Sequence, residues 1–211
     1  MPRTHDMRKL AEPRTTSQRE RCDRMLRAAA ELGARHGLEQ VQIGDIAAGA
    51  DVALGTLYRY FPSKHHLYAA LLADRVERMP IPRTSAVTAT AAVAEAMGTA
   101  VRAMLTSVPL ARAMIVSINV VRNEYGLNPP FAMDERILGI AGLHRPTAED
   151  RRLARLVEQA VYGVLTWATA GEITPEQAVD DVERACELLL APWQRRARGP
   201  RPADPRPRPD S

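Results

Sequence analysis

Residues 42–64 read QIGDIAAGADVALGTLYRYFPSK, and this stretch decides the fold. Apolar residues recur at helical spacing on both sides of a break at residues 49–51, which predicts two short helices joined by a tight turn. The residues that share this spacing are Ile43, Ile46 and Ala47, followed by Leu54, Leu57 and Tyr58. Helices this short bury little surface, so we expect a third helix to pack behind them and leave the outer face of the second one free.

Two short helices with one free face are typical of a helix-turn-helix, whose second helix enters the DNA major groove. The outer positions of the second helix are small, because Ala53, Gly55 and Thr56 would let a groove wall approach the backbone closely. Side chains with donors suited to phosphate oxygens, the contacts that fix register on a duplex, follow them: Tyr58, Tyr60 and Lys64. The pattern therefore predicts binding to double-stranded DNA.

The string AxxAxVxxGTLYRYFPSK, with DIA shortly before it, resembles the N-terminal domain of TetR-type bacterial transcriptional regulators. The resemblance covers about residues 19–79. It implies phosphate contacts from Gln42, Thr56, Tyr58, Tyr60 and Lys64. It also implies positions facing the groove for Ala53, Leu54, Gly55 and Arg59.

The sequence departs from the family pattern at two helix starts. Family members usually carry Ser or Thr where Gln42 and Ala53 stand, and those residues cap helices well, whereas Gln and Ala cap poorly. We expect Asp51 to substitute as the cap of the second helix.

Composition and patterning indicate an all-α protein, because Gly and Pro separate long helical patterns and alternating strand patterns are scarce. A chain of 211 residues, 45% of them hydrophobic and 26% charged, is long enough for one or two compact domains. We expect about nine helices. The chain should consist of a disordered basic arm (1–16), a helix-turn-helix domain (17–79, motif at about 42–61), a helical effector-binding and dimerisation domain (85–193) and a disordered Pro/Arg-rich tail (194–211).

The net charge of +4 is unevenly distributed along the chain. Residues 1–27 contain eight Arg or Lys against four acids, and residues 193–211 contain six Arg against two acids, so the ends carry about +8 and the middle about −4. Sequence-independent attraction to DNA would therefore come mainly from the ends. The N-terminal arm could reach a minor groove or could remain a solvated tail.

Capping signals predict where the helices begin and end. Ser17-x-x-Glu20 reads as a capping box, Gly37 as the end of the first helix and Ser63 as the cap of the fourth. We expect the later helices over 85–108, 110–121, 131–143, from the Thr147-x-x-Asp150 box to Gly171, and from the Thr174-Pro175-Glu176-Gln177 box to Trp193.

The second half contains many methionine and aromatic residues, which fill irregular or adaptable cavities. The family resemblance implies a small-molecule pocket here, and the apolar lining favours a hydrophobic effector over a sugar or nucleotide. The candidate ligand-binding residues are Met97, Met104, Met114, Ile118, Asn119, Arg122, Phe131, Tyr162 and Thr166. The alternative is that the apolar members form plain core and that Arg122 lies on the surface. The recognition stretch also resembles repressors of lipid and steroid catabolism in actinobacteria.

The last two helices are apolar over an arc wider than one neighbouring helix would cover. Exposed apolar patches usually indicate association, so the pattern predicts a two-fold homodimer, unless the extra arc packs on the preceding helices. The resemblance implies a four-helix interface formed by these two helices. Such a dimer would place its recognition helices roughly 34–36 Å apart, on a palindromic operator.

Sequence motifs for catalysis are lacking: there is no HExxH, GxSxG or phosphate-binding loop. The five histidines, His5, His36, His65, His66 and His144, lie at expected tails, helix ends or loops. Adjacent His65 and His66 point in different directions and are expected at the surface. We therefore predict no enzyme, metal site or cofactor.

No stretch has the length of a membrane span or the order of a signal peptide, which predicts a cytoplasmic, nucleoid-associated protein. Cys22 and Cys186 lie on separate apolar faces, where free thiols are expected. The hypothesis is a homodimeric repressor of a palindromic operator, released by a hydrophobic effector. An activator, or a DNA-associated adaptor without an effector, remains the alternative.

Overall fold

The computed structural model describes residues 15–79, 88–125 and 133–197, and all regular secondary structure in these ranges is α-helical. The ten helices are α1 (Thr16–Gln40), α2 (Ile43–Gly49), α3 (Leu54–Tyr60), α4 (Lys64–Glu77), α5 (Ala89–Leu105), α6 (Val108–Tyr125), α7 (Met133–Ile140), α8 (Ala148–Ala170), α9 (Pro175–Leu189) and α10 (Ala191–Ala197). The all-α prediction is confirmed. Most of the predicted arm (1–16) and tail (194–211), and Phe131, lie outside the described residues. The described parts of both differ from the prediction, because residues 15–16 form the cap and start of α1 and residues 194–197 belong to α10.

Helices α1 to α4 form a head around one hydrophobic core. Met25 of α1, Ile46 of α2, Leu57 of α3 and Leu67 of α4 are fully buried in it. The expected third helix behind the two short ones is therefore α1, which carries the predicted apolar face along the motif.

Helix α6 belongs to the head as much as to the rest of the chain. Its residues Leu110 and Met114 are buried in the head core, so packing crosses the predicted boundary between residues 79 and 85. Gly33 of α1 makes this junction possible, since a Cβ there would lie 2.7 Å from the Tyr68 hydroxyl and 3.0 Å from Leu110. The glycine therefore allows α1, α4 and α6 to pack closely at this point.

A second core lies between α5, α7, α8 and α9, with α10 against its end. Its fully buried members include Val93, Ile137 and Val182, which come from three different helices. The hydroxyl of Thr90 donates to the Leu190 carbonyl at 3.1 Å, which ties the start of α5 to the end of α9. The larger core therefore rests on helices distant in sequence.

Helix boundaries differ from the sequence prediction at several places. Thr15, with Gln18, forms the capping box of α1, in place of Ser17 and Glu20. Gly37 leaves the helical conformation with φ of 70°, where the sequence predicted the end of the first helix, and a short helical segment follows it to Gln40. The cap of α1 differs from the prediction because several polar residues near its start can accept hydrogen bonds from the same backbone N–H groups, and packing selects among them.

Two other helix boundaries also differ from the prediction. The helix predicted to start after Pro109 begins at Val108, because proline fits the first turn of a helix. The helix predicted to run to Trp193 ends at Leu189, and Trp193 belongs to the separate α10.

The capping predictions for the later helices are confirmed. Thr147 with Asp150 opens α8, and Thr174 with Gln177 opens α9 with Pro175 at its start. Gly171 ends α8 in the left-handed conformation with φ of 84°, where glycine has no steric cost. Ser63 caps α4 through its side chain, also as predicted.

No single helix among those described is long and apolar enough to cross a membrane. Helices α5 and α6 meet that test only as a pair, which is bent by 110° at its junction.

Candidate nucleic-acid interface and ligand cavity

Helix α3 has one face in the head core and one face exposed to solvent. Leu57 and Tyr60 point into the head core, while Leu54 and Tyr58 are 44% and 46% exposed. Leu54 and Tyr58 share a helical spacing with Leu57 in the sequence but lie on the exposed face, since the step from Leu57 to Tyr60 faces the core. The exposed residues of α3 and of the position just before it are Ala53, Leu54, Gly55, Tyr58 and Arg59.

The turn between α2 and α3 is tight and well bonded. Val52 N–H donates to the Ala47 carbonyl at 3.0 Å, and Arg24 Nε of α1 donates to the Ala50 carbonyl at 3.1 Å. Asp51 takes a positive φ of 51°, a conformation that Asp tolerates. The geometry fixes the angle between the two helices.

Neither short helix has a side-chain cap. Gln42 and Ala53 occupy the capping positions of α2 and α3 without a capping hydrogen bond, as the sequence predicted. The expectation that Asp51 caps α3 is wrong, because Asp51 lies two residues before the capping position and forms part of the turn.

Tyr60 is a core residue, with only 5% of its surface exposed. Its ring packs beside Phe61, with 6.5 Å between the ring centroids, and the Arg59 guanidinium lies 5.1 Å from its centroid. The expected phosphate contact from Tyr60 therefore conflicts with its burial, and its position indicates a packing role.

Lys64 links two ends of the head. Its ammonium group donates to the Leu38 carbonyl at 2.8 Å and to the Glu39 carbonyl at 3.5 Å, at the end of α1. An ammonium has three donors, so these contacts orient the side chain without using all of its capacity. Gln42 is exposed and Thr56 is half-buried.

The two adjacent histidines differ from the prediction that they lie at the surface. Both are half-buried at the start of α4. His65 Nδ1 lies 3.1 Å from the hydroxyl of Ser117, a buried residue of α6, and His66 Nδ1 lies 2.9 Å from the Ser63 hydroxyl. The first turn of α4 is thereby joined to α6.

A cavity of about 460 Å³ lies between α4, α5, α6, α7 and α8. Its apolar wall includes Leu72, Val76, Met97, Val101, Met104, Ile115, Ile118, Met133, Val161 and Leu165. Its charged and polar wall consists of Glu77, Arg122, Glu135, Arg136, Glu158 and Tyr162. The volume falls within the range of roughly 300–1,000 Å³ that is typical of small-molecule sites.

The structure brings five of the nine candidate ligand residues together in this cavity: Met97, Met104, Ile118, Arg122 and Tyr162. Met114 does not line it because it is buried in the head core. Asn119 is exposed on α6, and the Thr166 hydroxyl donates to the Tyr162 carbonyl at 2.8 Å within α8. Those three assignments are corrected, and Phe131 lies outside the described residues.

The sequence prediction missed four charged residues of the wall, Glu77, Glu135, Arg136 and Glu158. Glu158 accepts a hydrogen bond from Arg122 at 2.8 Å, and Arg122 also stacks 5.3 Å from the Tyr162 ring centroid. Burial raises the pKa of Glu158, while the neighbouring Arg122 opposes that rise. Arg122 thus lies on the cavity wall and is not a free surface residue.

An exposed apolar face runs along α8 and α9. Trp167 and Leu188 are 57% and 60% exposed, and Leu156, which precedes Trp167 on α8, is also exposed. Gly163, between Leu156 and Trp167, has open space where a side chain would project. The wide apolar arc predicted for these helices is therefore only partly covered within the chain.

Comparison with known proteins decides the family. Residues 25–71 match the family described as bacterial regulatory proteins, tetR family, and residues 87–189 match the tetracyclin repressor-like C-terminal domain. A solved TetR transcriptional regulator from Rhodococcus sp. RHA1 is 35% identical, with a TM-score of 0.70 over 84% of this chain and 98% of that chain. The chain belongs to the TetR family of transcriptional regulators.

Two further comparisons describe relatives of this TetR-family regulator. The chain is 49% identical over 65 residues to the HTH-type transcriptional repressor KstR of Rhodococcus jostii (strain RHA1), an alignment that spans 31% of each chain. FadR of Thermus thermophilus, solved with lauroyl-CoA, shares the fold at 19% identity, with a TM-score of 0.58 over 80% of this chain and 93% of that chain. The resemblance stated from residues 19–79 is thus confirmed at the level of the family.

Proposed function

We propose that this TetR-family regulator is a homodimeric repressor, which binds a palindromic operator and is released from it by a hydrophobic small molecule. The observation that carries the proposal is the exposed face of α3, with small residues at Ala53 and Gly55 beside the larger Tyr58 and Arg59. Small residues let the helix approach a groove floor closely, and the larger ones reach the backbone and base edges.

Within this proposal, the candidate DNA-binding residues divide by the chemistry of their side chains. Tyr58, Thr56, Gln42 and Lys64 donate to phosphate oxygens and set the register, while Arg59 reaches base edges in the major groove. Tyr60 supports α3 from the core and makes no contact with DNA.

Repression is supported by similarity to KstR, a transcriptional repressor, over 65 residues of this chain. That similarity covers about 31% of KstR's own length, so it supports a similar mode of DNA binding and leaves the regulated genes open. An activator would bind the same DNA with the opposite effect on transcription. An adaptor without an effector would bind DNA with no response to apolar compounds.

Dimerisation is supported by the exposed face of α8 and α9. Large apolar side chains at Leu156, Trp167 and Leu188 flank Gly163, which leaves room for another helix to approach. A two-fold axis through this face would create a four-helix interface and present two α3 helices to successive grooves, roughly 34–36 Å apart.

Effector response is supported by the position of α4. Its first turn contacts α6 through His65 and the α1 end through Lys64, and Leu72 and Val76 in its later turns line the cavity. A ligand that favours a different position of α4 in the cavity would also favour a different position of the head. Such a ligand shifts the equilibrium by its difference in affinity for the two arrangements.

The test is to purify the full-length protein, recover the fragments that it retains from its own sheared genome, and sequence them. We expect a shared palindrome, from which the protein is released by apolar compounds such as acyl thioesters, sterols or aromatic drugs. Retention of no fragment at low salt would refute DNA binding. Retention that no apolar compound affects would favour the adaptor, and reporter expression that rises with bound protein would favour the activator. We propose the cytoplasmic nucleoid as its place of action.

A further inference from the structure

Two side chains on the cavity wall have buried polar atoms without hydrogen-bond partners. They are Arg136 of α7, at Nε, and Tyr162 of α8, at its hydroxyl oxygen. No other described side chain has a nitrogen or oxygen in this condition. Buried polar groups in folded proteins are nearly always paired, and two exceptions on the wall of one cavity indicate a missing partner.

The charges around the cavity identify the kind of partner. Arg122 is paired with Glu158 at 2.8 Å, and Glu135 is paired with Arg151. Within the described residues Arg136 has no acidic partner, although it is half-buried. Glu77 is the remaining charged residue of the wall, and it is exposed to solvent at the last turn of α4.

We propose that the cavity binds an amphipathic carboxylic acid, a deduction that rests on the effector site of the proposed function. The apolar part packs against residues such as Met97, Met104 and Leu165, and the carboxylate accepts hydrogen bonds from Arg136 and the Tyr162 hydroxyl. A guanidinium matches a carboxylate in geometry and charge, and charge-assisted hydrogen bonds are stronger than neutral ones.

Other polar groups fit this wall less well. A neutral alcohol can bond to Tyr162 but leaves the charge of Arg136 uncompensated. An amine would be repelled by Arg136, and its attraction to Glu77 would be weakened by solvent. The acid therefore binds more tightly than either compound of the same chain length.

The test uses three probes with one apolar chain, octanoic acid, 1-octanol and octylamine, titrated into the full-length protein by isothermal calorimetry at neutral pH. We expect the acid to bind most tightly. Arg136→Met should weaken binding of the acid by about ten- to a hundredfold and leave binding of the alcohol nearly unchanged, because a hydrogen bond to a charged group is lost. Tyr162→Phe should also weaken binding of the acid, by a smaller factor.

Arg102→Met is the matched control, because Arg102 is an exposed arginine of α5 that does not line the cavity. It should leave all three affinities unchanged. Equal affinity of the unmodified protein for acid and alcohol would overturn the inference, even if Arg136→Met failed to fold. Preservation of the acid preference in a folded Arg136→Met variant would overturn it as well. If none of the three probes bound, the effector cavity of the proposed function would itself be wrong.

Discussion

His65 Nδ1 lies 3.1 Å from the hydroxyl oxygen of Ser117, at the point where the first turn of α4 meets the middle of α6. Ser117 is fully buried, and the two residues are separated by 52 positions in the chain. Since α6 lines the cavity with Ile115 and Ile118 on either side of Ser117, this contact joins the cavity wall to the DNA-binding head.

We expect Ser117→Ala to lower the free energy of unfolding by about 1 kcal/mol, because a buried hydrogen bond is lost. It should also reduce the factor by which an apolar effector weakens operator binding, since the two sites would be less tightly coupled. Chemical denaturation and fluorescence anisotropy measure the two quantities. Asn119→Ala, an exposed change on the same helix, should alter neither, and an unchanged coupling factor in Ser117→Ala would contradict the role of this contact.

Contacts to phosphates and contacts to bases can be distinguished by how the effect of each variant depends on the DNA sequence. Tyr58→Phe together with Lys64→Ala should weaken binding to all DNA alike and reduce the slope of log affinity against log salt by about one, because one phosphate charge is no longer neutralised. Arg59→Gln should weaken operator binding more than non-operator binding, by about 1–3 kcal/mol. Lys64→Arg keeps the charge and serves as the control.

Lys64 also bonds to the Leu38 carbonyl, so the double variant needs a check of its stability. Titrations of operator and random duplex at three salt concentrations measure both the affinity and the slope. Equal affinity and salt dependence in the folded double variant would rule out the phosphate assignment.

The face of α8 and α9 can be tested by placing charge on it. Trp167→Asp with Leu188→Glu should convert the protein to a monomer, since two acids would enter an apolar contact and face their own copies. Sedimentation velocity measures the change. Val108→Asp, at another exposed apolar position in the first turn of α6, should leave the proposed dimer intact. A double variant that stays dimeric would place the interface elsewhere.

A buried carboxylate joins α10 to the start of α8. Asp150, only 2% exposed, accepts hydrogen bonds from Trp193 Nε1 at 2.9 Å and from the Thr147 hydroxyl and N–H at 2.7 and 2.9 Å. Asp150→Ala should lower the free energy of unfolding by about 2–3 kcal/mol, because several bonds to a charged group are lost. Glu149→Ala, at an exposed neighbour, should cost about 0.3–1 kcal/mol through the helix dipole. Equal losses in urea denaturation would contradict this role of Asp150.

Stability should decline at alkaline pH. Burial raises the pKa of Tyr68 from 10.0 to about 12 and the pKa of Cys186 from 9.0 to about 12. Above pH 9 the unfolded chain releases these protons before the folded chain does, so the unfolded state binds fewer protons and the free energy of unfolding falls until about pH 12. Denaturation curves from pH 8 to 11 measure this fall.

Tyr68→Phe should reduce the loss between pH 10 and 11, and Cys186→Ala should reduce it from about pH 9. The comparison uses each variant's own stability at pH 8 as the reference, because Tyr68 also donates to the Ala29 carbonyl at 3.0 Å. Curves that run parallel to that of the unmodified protein would show that these two groups do not titrate as described.

Local signals predicted the helices and several of their ends. The boxes of Thr147 with Asp150 and of Thr174 with Gln177 were recognisable because a cap and its partner lie three residues apart. The helix-turn-helix was recognisable for the same reason, since its apolar spacing and its turn occupy a stretch of about twenty residues.

The burial of individual site residues was harder to predict. Tyr60 was expected at a phosphate and Met114 in the ligand pocket, yet both are buried in the head core. On a helix, residues three or four positions apart offer two neighbouring faces, and only the position of the packed helix decides which one is covered. Arg136 gave no signal in the sequence, because its interest arises from the absence of a partner on the cavity wall.

The sequence by itself determined the family, the all-α class and the position of the helix-turn-helix, because these depend on residue types at fixed short spacings. The tertiary structure alone decided that α6 completes the head, that Ser117 meets His65, and that Arg136 and Tyr162 share a cavity with Arg122. Those relationships join residues on different helices, and no periodicity within one helix records which side chain a distant helix will bring to it.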